Sequence, residues 1–394
     1  MGYASPLPPF AACYRLVAIL ALGPCLLNAQ AGPRTDTPRA GAFRVTFEPV
    51  ITTWEREFTD NGHEQRIGAS LFGETHPPLE CTGIGIVVCR YLFSPVFVHV
   101  ERRVTPLALE FGITNRLAVG AKVPLVRVNT RAGFQLDSAG NPGAPGAAQR
   151  LDSILTDTTY AFGPVAGTTR RLRDFAGDVE VEAKYRVLES HSYALSGALV
   201  VRLPTGHQDS PNSLFDLSTG DHQTDIEVQI AQELTLFNRL WLNALVRGGR
   251  QQPRTRARRV GPQSVLLIPH AALATLNWDP GDYWGLDVAP LYRFSREFGV
   301  GFTAGYYTQR RDRYSYRSAQ DSTDLATRLG TPVSAAVLDA GTGVRWARLG
   351  FAMTYVGSDV EGSLSFEQTV SGSGGLVPVA SVFRIVMRTS RWPF

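Results

Sequence analysis

Apolar residues occupy every second position in successive short segments of this chain. From Leu107 to Ile113 they alternate with small or polar residues, and after Asn115-Arg116 the pattern resumes from Leu117 to Leu125. Successive side chains of a strand point to opposite faces. The segment therefore predicts a β-hairpin with one apolar face and one face that carries Glu110 and Lys122.

The alternation is sharpest in residues 178–187. The odd positions from 179 to 187 are Val, Val, Ala, Tyr and Val, whereas every even position is ionic. A soluble antiparallel sheet that buries its apolar face against a second layer would show the same alternation. The pattern alone leaves a soluble sheet and a membrane-spanning barrel open.

Short and long connections alternate between the predicted strands. Short turns are predicted at 115, 190, 238, 296 and 347, and long connections around 58–90, 129–175, 205–222, 251–283, 312–332 and 359–376. Short periplasmic turns opposite long extracellular loops are typical of transmembrane barrels, whose strand number is even when both termini lie inside. The count is about twelve, in a range of ten to fourteen, because residues 265–294 fit one strand or two.

Aromatic residues near predicted strand ends favour the barrel, since aromatic rings prefer the headgroup region of a bilayer. They are Trp241, Trp284, Tyr292, Phe294, Phe298, Tyr306, Trp346, Tyr355 and Trp392. The sequence thus predicts an all-β fold, an antiparallel transmembrane β-barrel with short periplasmic turns and long extracellular loops.

The first residues have the pattern of a secretory signal peptide. Arg15 precedes an apolar stretch from Leu16 to Leu27, and Ala29 and Ala31 offer small residues for cleavage. A transmembrane anchor is the alternative, but the stretch is too short and Gly23-Pro24 interrupts it. We predict a signal peptide at 1–31, a periplasmic tail at 32–41, a barrel at 42–394 and location in the cell outer membrane.

Two cysteines remain after the predicted cleavage, Cys81 and Cys89. The seven residues between them include Gly83 and Gly85, and the predicted compartment permits oxidation, so we predict one disulfide. Two free thiols are the alternative.

Composition argues against several other functions. A net charge of +4 over 394 residues with dispersed basic positions does not indicate nucleic-acid binding. The histidines are scattered, and the best acid–base candidates are His207 with Asp209 and Asp221 with His222. No catalytic or metal-binding motif is present, so we predict neither an enzyme nor a cofactor or metal site.

The ionic strand faces are predicted to line the lumen. The residues concerned are Glu110, Lys122, Asp178, Glu180, Glu182, Lys184, Arg186, Arg202, Asp225, Glu227, Arg247, Asp287, Arg293 and Arg345. They could pair across neighbouring strands and fill a narrow interior. Alternatively they line a polar pore that orients a passing solute.

Two clusters of arginine are predicted to lie in long loops. The first contains Arg250, Arg254, Arg256, Arg258 and Arg259, and the second Arg310, Arg311, Arg313 and Arg317. Such loops could bind lipopolysaccharide phosphates or gather anionic solutes, and a merely solvated loop is the alternative.

Several hairpin and turn residues resemble a known family. They are Leu109 to Gly120 with Val123-Pro124, then Gly177-Asp178 through Lys184-Tyr185-Arg186, then Leu203-Pro204-Thr205-Gly206. This part of the chain resembles the outer-membrane proteins grouped under the MetA pathway of phenol degradation, often described as transporters. The resemblance implies a barrel and brings no catalytic residue. Trp392 and Phe394 resemble the terminal signal that the barrel-assembly machinery reads.

The predicted function is a channel or transporter in the outer membrane for small molecules, apolar or aromatic ones among them, by passive diffusion. The alternative is a structural or surface-binding barrel with a plugged lumen. The expected partners are outer-membrane lipid and lipopolysaccharide, the barrel-assembly machinery and an unidentified small solute, and no nucleic acid.

Overall fold

The computed structural model describes residues 35–67, 79–80, 90–138, 156–162, 168–213, 218–262, 268–295, 297–357, 360–375 and 377–389. The predicted signal peptide, the cysteines Cys81 and Cys89, and the terminal Trp392 and Phe394 lie outside the described residues.

One antiparallel sheet closes on itself. Its strands are β1 (Phe43–Phe47), β2 (Val50–Trp54), β6 (Arg90–Gly112), β7 (Leu117–Ser138), β8 (Thr168–Ala176), β9 (Glu180–Glu189), β10 (Tyr193–Arg202), β11 (Asp225–Leu236), β12 (Leu240–Gln251), β15 (Tyr283–Arg293), β16 (Phe298–Gln309), β18 (Thr342–Val356), β19 (Val360–Gly375) and β21 (Ser381–Thr389), with the short β5 (Leu79–Glu80) beside β6. Both β1 and β2 pair with β21, which closes the barrel.

Two wall strands are each made of two pieces. β1 and β2 pair with successive parts of β6, and β8 and β9 pair with successive parts of β7. The wall therefore has twelve strands, which confirms the predicted fold.

The two ends of the barrel differ in the way that the sequence predicts. Turns at residues 113–116, 190–192, 237–239 and 294–297 connect neighbouring strands at one end, which we call the turn end. The other end, the loop end, carries the long connections. β7 and β8 extend into the predicted loop 129–175, so that loop is shorter than expected.

One predicted turn is wrong. β18 runs without a break through Ala347, and β19 occupies the predicted long loop at 359–376. The pairing of β18 with β19 shifts register between Ala347 and Arg348, at the position of the predicted turn. The turn lies instead between Val356 and Val360.

The distribution of polarity is opposite to that of a soluble protein. Large apolar side chains point outward, such as Phe302, 73% exposed, and Leu125, 56% exposed. Charged side chains such as Arg44 and Asp225 are buried inside. A soluble sandwich would bury the apolar set, so this distribution decides for the membrane-spanning barrel.

The loop end carries two further small sheets. β13 (Arg254–Arg259), β14 (Leu273–Asp279) and β17 (Arg313–Tyr316) form one, and β3 (Arg56–Phe58), β4 (Glu64–Arg66) and β20 (Val377–Pro378) the other. Since β14 lies outside the barrel wall, residues 265–294 contribute one wall strand only.

Helix α1 (Ala319–Leu329) packs beside the first small sheet, with 3-10 turns at His270–Ala272 and Ala335–Asp339. The Ser318 side chain caps its start by accepting from the Asp321 N–H, and Gly330 ends it at φ 71°. An apolar core of Val260, Leu276, Trp278, Tyr314, Leu325 and Ala335 joins these elements. Among the described residues, no helix has the length and apolarity needed to span a bilayer.

Candidate functional site

The inner faces of β21, β1 and the wall strands from β6 to β12 line a polar cavity of about 90 Å³. It is lined by Thr46, Glu48, Ala108, Glu110, Gly120, Ala121, Lys122, Glu180, Glu182, Lys184, Ser196, Ala198, Gln229, Ala231, Leu245 and Arg388. A buried water needs roughly 10–15 Å³ of such volume, so the cavity has room for a few waters or a hydrated small ion.

Glu48 and Arg388 were not among the predicted lumen residues. Residues 43–48 do alternate, with Arg44, Thr46 and Glu48 on one face and apolar residues on the other. This pattern is the signal that would have identified the inner face of β1.

Ion pairs link the inner faces of four neighbouring strands. Lys122 on β7 pairs with Glu180 on β9. Glu180 also contacts Arg202 on β10 at 3.4 Å, and Arg202 is 2.7 Å from Asp225 on β11. Each pair joins positions in direct register, so the network stiffens the wall and neutralises its own charge.

Further polar contacts involve residues of β11, β12, β15 and β21 and the luminal residue Glu48. Arg247 is 3.0 Å from Asp287, and the Tyr283 hydroxyl donates to Glu227. Arg384 lies 3.4 Å from Glu48. These residues fill the interior there with paired side chains.

Two predicted lumen residues differ from the rest. Glu182 and Lys184 face the cavity, and among the described residues neither forms an ion pair or a hydrogen bond through its charged group. Both charged groups face the cavity, where they act on each other electrostatically without a direct contact.

Residues 35–42 lie across the turn end of the lumen. The Thr35 N–H donates to Glu233 of β11 at 2.8 Å, and Arg44 of β1 binds Asp36 at 2.5 Å. Arg186 of β9 donates to the Thr37 carbonyl at 3.4 Å, and also pairs with Glu189 at 2.7 Å. Because these contacts come from separate parts of the wall, the segment narrows the opening.

The loop end is narrowed by apolar side chains. Val100 and Val104 of β6 and Val126 and Val128 of β7 form a buried cluster, against which Trp54, Ile67 and Val98 pack. The inner face of β6 and β7 therefore carries an apolar patch toward the loop end.

Asp178 lies at the break between β8 and β9 and binds a loop. Its carboxylate accepts from the Gly206 N–H at 2.7 Å and the Asp221 N–H at 2.8 Å. The carboxylate of this predicted lumen residue therefore binds backbone N–H groups of the protein rather than a solute.

Two other predicted lumen residues have different surroundings. The Arg293 guanidinium lies 4.3 Å from the Trp241 ring centroid. Arg345 is exposed and pairs in register with Thr308, on the outer face of the wall. Its assignment to the lumen is therefore wrong, because continuous alternation through β18 places Arg348, and not Arg345, on the inner face.

In the predicted acid–base pairs, Asp209 and His222 contact other groups. The Asp209 carboxylate binds Arg256 and Arg258. Burial raises the pKa of Asp209, but the charges of Arg258 and Arg256 outweigh it and hold the pKa below its usual 3.8. His222 contacts the Gly206 carbonyl through Nδ1 at 3.1 Å. The described part of the chain contains no cluster of three or more potential metal ligands.

The first arginine cluster is largely structural. Arg256 lies over the Trp278 ring, with 4.7 Å to the centroid. Arg259 donates to the carbonyls of Tyr160 and Ile268 at 2.6 and 2.8 Å. These contacts fix the loop-end structure around the small sheet.

No family model and no curated protein matches the chain. Among solved structures, an outer membrane channel from Pseudomonas putida F1 superposes with a TM-score of 0.54 at 10% identity, covering 93% of this chain and 99% of that one. A Pseudomonas putida toluene transporter, TodX, matches with a TM-score of 0.35 at 10% identity, covering 94% and 100%. The first similarity shows that this chain has the barrel fold of that outer membrane channel.

Proposed function

We propose that this protein is an outer-membrane channel through which small molecules diffuse passively. The observation that carries the proposal is the polar cavity inside a closed barrel, which is lined by the charged side chains of Glu182 and Lys184. Charged groups that face open space in a lumen are typical of a pore wall, where they bias the passage of ions and polar solutes.

The proposed location and assembly follow from the same architecture. The apolar outer wall supports residence in a membrane, and the predicted signal peptide supports export; assembly by the barrel-assembly machinery is part of the proposal. The turn end then faces the periplasm, and the loop end faces the cell exterior, where lipopolysaccharide surrounds it. The proposal contains no catalytic step and no cofactor.

The class of solute is a further part of the proposal. The cavity holds only a few waters, so a small ion or small polar molecule fits it as it stands. The valine cluster around Val104 and Val126 offers an apolar surface, which favours an apolar or aromatic solute at the loop end. Such a solute requires the cluster to open.

A plugged barrel is the second candidate, and one observation favours it. Residues 35–42 cross the turn end, and Asp36 is held there by Arg44. A barrel closed at this end would act as a structural or surface-binding protein.

Single-channel recording in planar bilayers separates the two candidates. The refolded mature chain should give small, steady conductance steps, and its folding is checked independently by heat-modifiable migration on a gel. A folded barrel that remains silent in the bilayer would rule out the channel and favour the plugged barrel.

A further inference from the structure

Five arginines lie together at the loop end of β12, β16 and β18. We call them the arginine rim: Arg250, Arg310, Arg311, Arg313 and Arg345. The first four line a cavity of about 180 Å³ next to the start of β15, and all five are exposed.

Strand register shows which way the rim faces. Trp284 on β15 pairs with Gly248 on β12 and with Thr308 on β16, and Thr308 pairs with Arg345 on β18. These four positions form one row across the wall. Trp284 is 39% exposed on the outer face, so Arg345 lies on that face too.

Arg250 and Arg310 lie next to this row on the side of the loop end. Each follows its row residue, Gly248 or Thr308, by two positions, which keeps the side chain on the same face and moves it about 7 Å toward the loop end. The outward side chains on the other side of the row are apolar, including Val246 and Phe302.

The aromatic residues place the rim relative to the bilayer. The Trp284 and Tyr306 rings contact each other on the outer face, with 6.3 Å between centroids. Such rings lie at the level of lipid headgroups. Arginines at and just beyond this level therefore reach the headgroups from the side of the barrel.

The charge of the rim is not compensated by carboxylates. Within the described part of the chain, none of the five arginines forms an ion pair, although Asp279 and Asp282 line the same cavity. Four arginines and two aspartates line this cavity, and Arg345 adds a further cation on the adjoining wall, so the rim is positive. Guanidinium groups bind phosphate through paired, charge-assisted hydrogen bonds.

We propose that the arginine rim binds the phosphate groups of a membrane lipid headgroup, namely the phosphorylated glycolipid of the leaflet around the loop end. A dissolved anion would use the same chemistry, but Arg250, Arg310 and Arg345 face the lipid and not the lumen. The inference rests on the proposed outer-membrane location.

The test measures lipid binding to the refolded full-length mature chain in maltoside micelles. The ligands are lipopolysaccharide, the same lipopolysaccharide after removal of its phosphates, and inorganic phosphate. The Arg250→Gln/Arg310→Gln variant is compared with Arg39→Gln/Arg116→Gln, which removes two exposed arginines at the turn end. Heat-modifiable migration verifies that each variant is folded.

The Arg250→Gln/Arg310→Gln variant should bind lipopolysaccharide about tenfold more weakly than the unchanged protein, since two charge-assisted contacts are lost. The turn-end control should bind it unchanged, and removal of the phosphates should weaken binding to the unchanged protein by a similar factor. Equal affinity of both variants for lipopolysaccharide would overturn the proposal. Binding of inorganic phosphate without preference for phosphorylated lipid would assign the rim to a dissolved anion instead. The conductance measurement does not depend on lipid binding. Failure of the channel proposal and failure of the arginine-rim proposal can therefore be told apart.

Discussion

Arg202 and Asp225 face each other inside the barrel, with 2.7 Å between guanidinium and carboxylate. They are direct partners in the register of β10 and β11, and Asp225 is 1% exposed. Arg202 also contacts Glu180 on β9 at 3.4 Å, so one guanidinium connects three wall strands. Such a residue stabilises the wall and, at the same time, withholds its charge from the lumen.

Asp225→Asn should destabilise the barrel. The substitution leaves Arg202 with Glu180 as its remaining partner. The free energy of unfolding should therefore fall by about 1–3 kcal/mol, which is less than the loss expected for an entirely unpaired buried charge. Urea unfolding in micelles measures it. Asp324→Asn on the exposed helix α1 is the control and should stay within about 0.5 kcal/mol of the original. Equal unfolding midpoints for the two variants would show that the pair does not stabilise the wall.

The sequence predicts features that follow from local residue spacing, and it does not predict contacts between residues far apart in the chain. The alternation from 178 to 187 predicts the inner face of β9, because a strand's two faces follow from sequence spacing alone. Arg345 was misassigned because a turn was predicted at 347, and an error in one turn displaces the predicted face of the whole strand. The contact between Thr35 and Glu233 joins residues 198 positions apart, and no local pattern encodes such a pairing.

Glu182→Gln and Lys184→Gln should change ion selectivity in opposite directions. Removing the carboxylate leaves the cavity more positive and favours anions, whereas removing the ammonium favours cations. Reversal potentials in a salt gradient across a planar bilayer measure both shifts. Arg116→Gln, at an exposed turn, is the matched control for a lost charge. If neither reversal potential moves, ions do not pass the cavity.

Deletion of residues 32–38 should increase the unitary conductance. The deletion removes Thr35, Asp36 and Thr37, whose contacts with the wall hold the segment across the turn end. Thr37→Ala removes only one hydrogen bond, from its hydroxyl to the Asn115 carbonyl, and should leave conductance unchanged. Unchanged conductance after the deletion would place the narrowest part elsewhere, for instance at the valine cluster.

The Asp209 interaction predicts loss of loop-end structure in acid. Because Arg258 and Arg256 hold the folded-state pKa of Asp209 below the ordinary 3.8, its contribution is fully present above pH 3.8 and is lost as pH falls through the lower folded-state pKa. The protection of the Arg256 and Arg258 amides against hydrogen exchange should decrease over that window. In Asp209→Asn the protection of these two amides should already be low at neutral pH, and it should not fall further in acid. A transition of the same size in the variant would assign it to another carboxyl group.

Gly220→Ala should release the loop that Asp178 holds. A methyl group at Gly220 would lie 2.3 Å from one Asp178 carboxylate oxygen, so the carboxylate must leave its position between the Gly206 and Asp221 amides. Losing these two hydrogen bonds from a buried carboxylate should cost about 1–3 kcal/mol locally. Both amides should then exchange faster, and a protease should cut the loop at 207–213 more readily. Gly197→Ala is the control, because its added methyl would approach nothing nearer than 3.9 Å. If the loop keeps its protection in Gly220→Ala while the barrel stays folded, contacts other than those of Asp178 hold it against the wall.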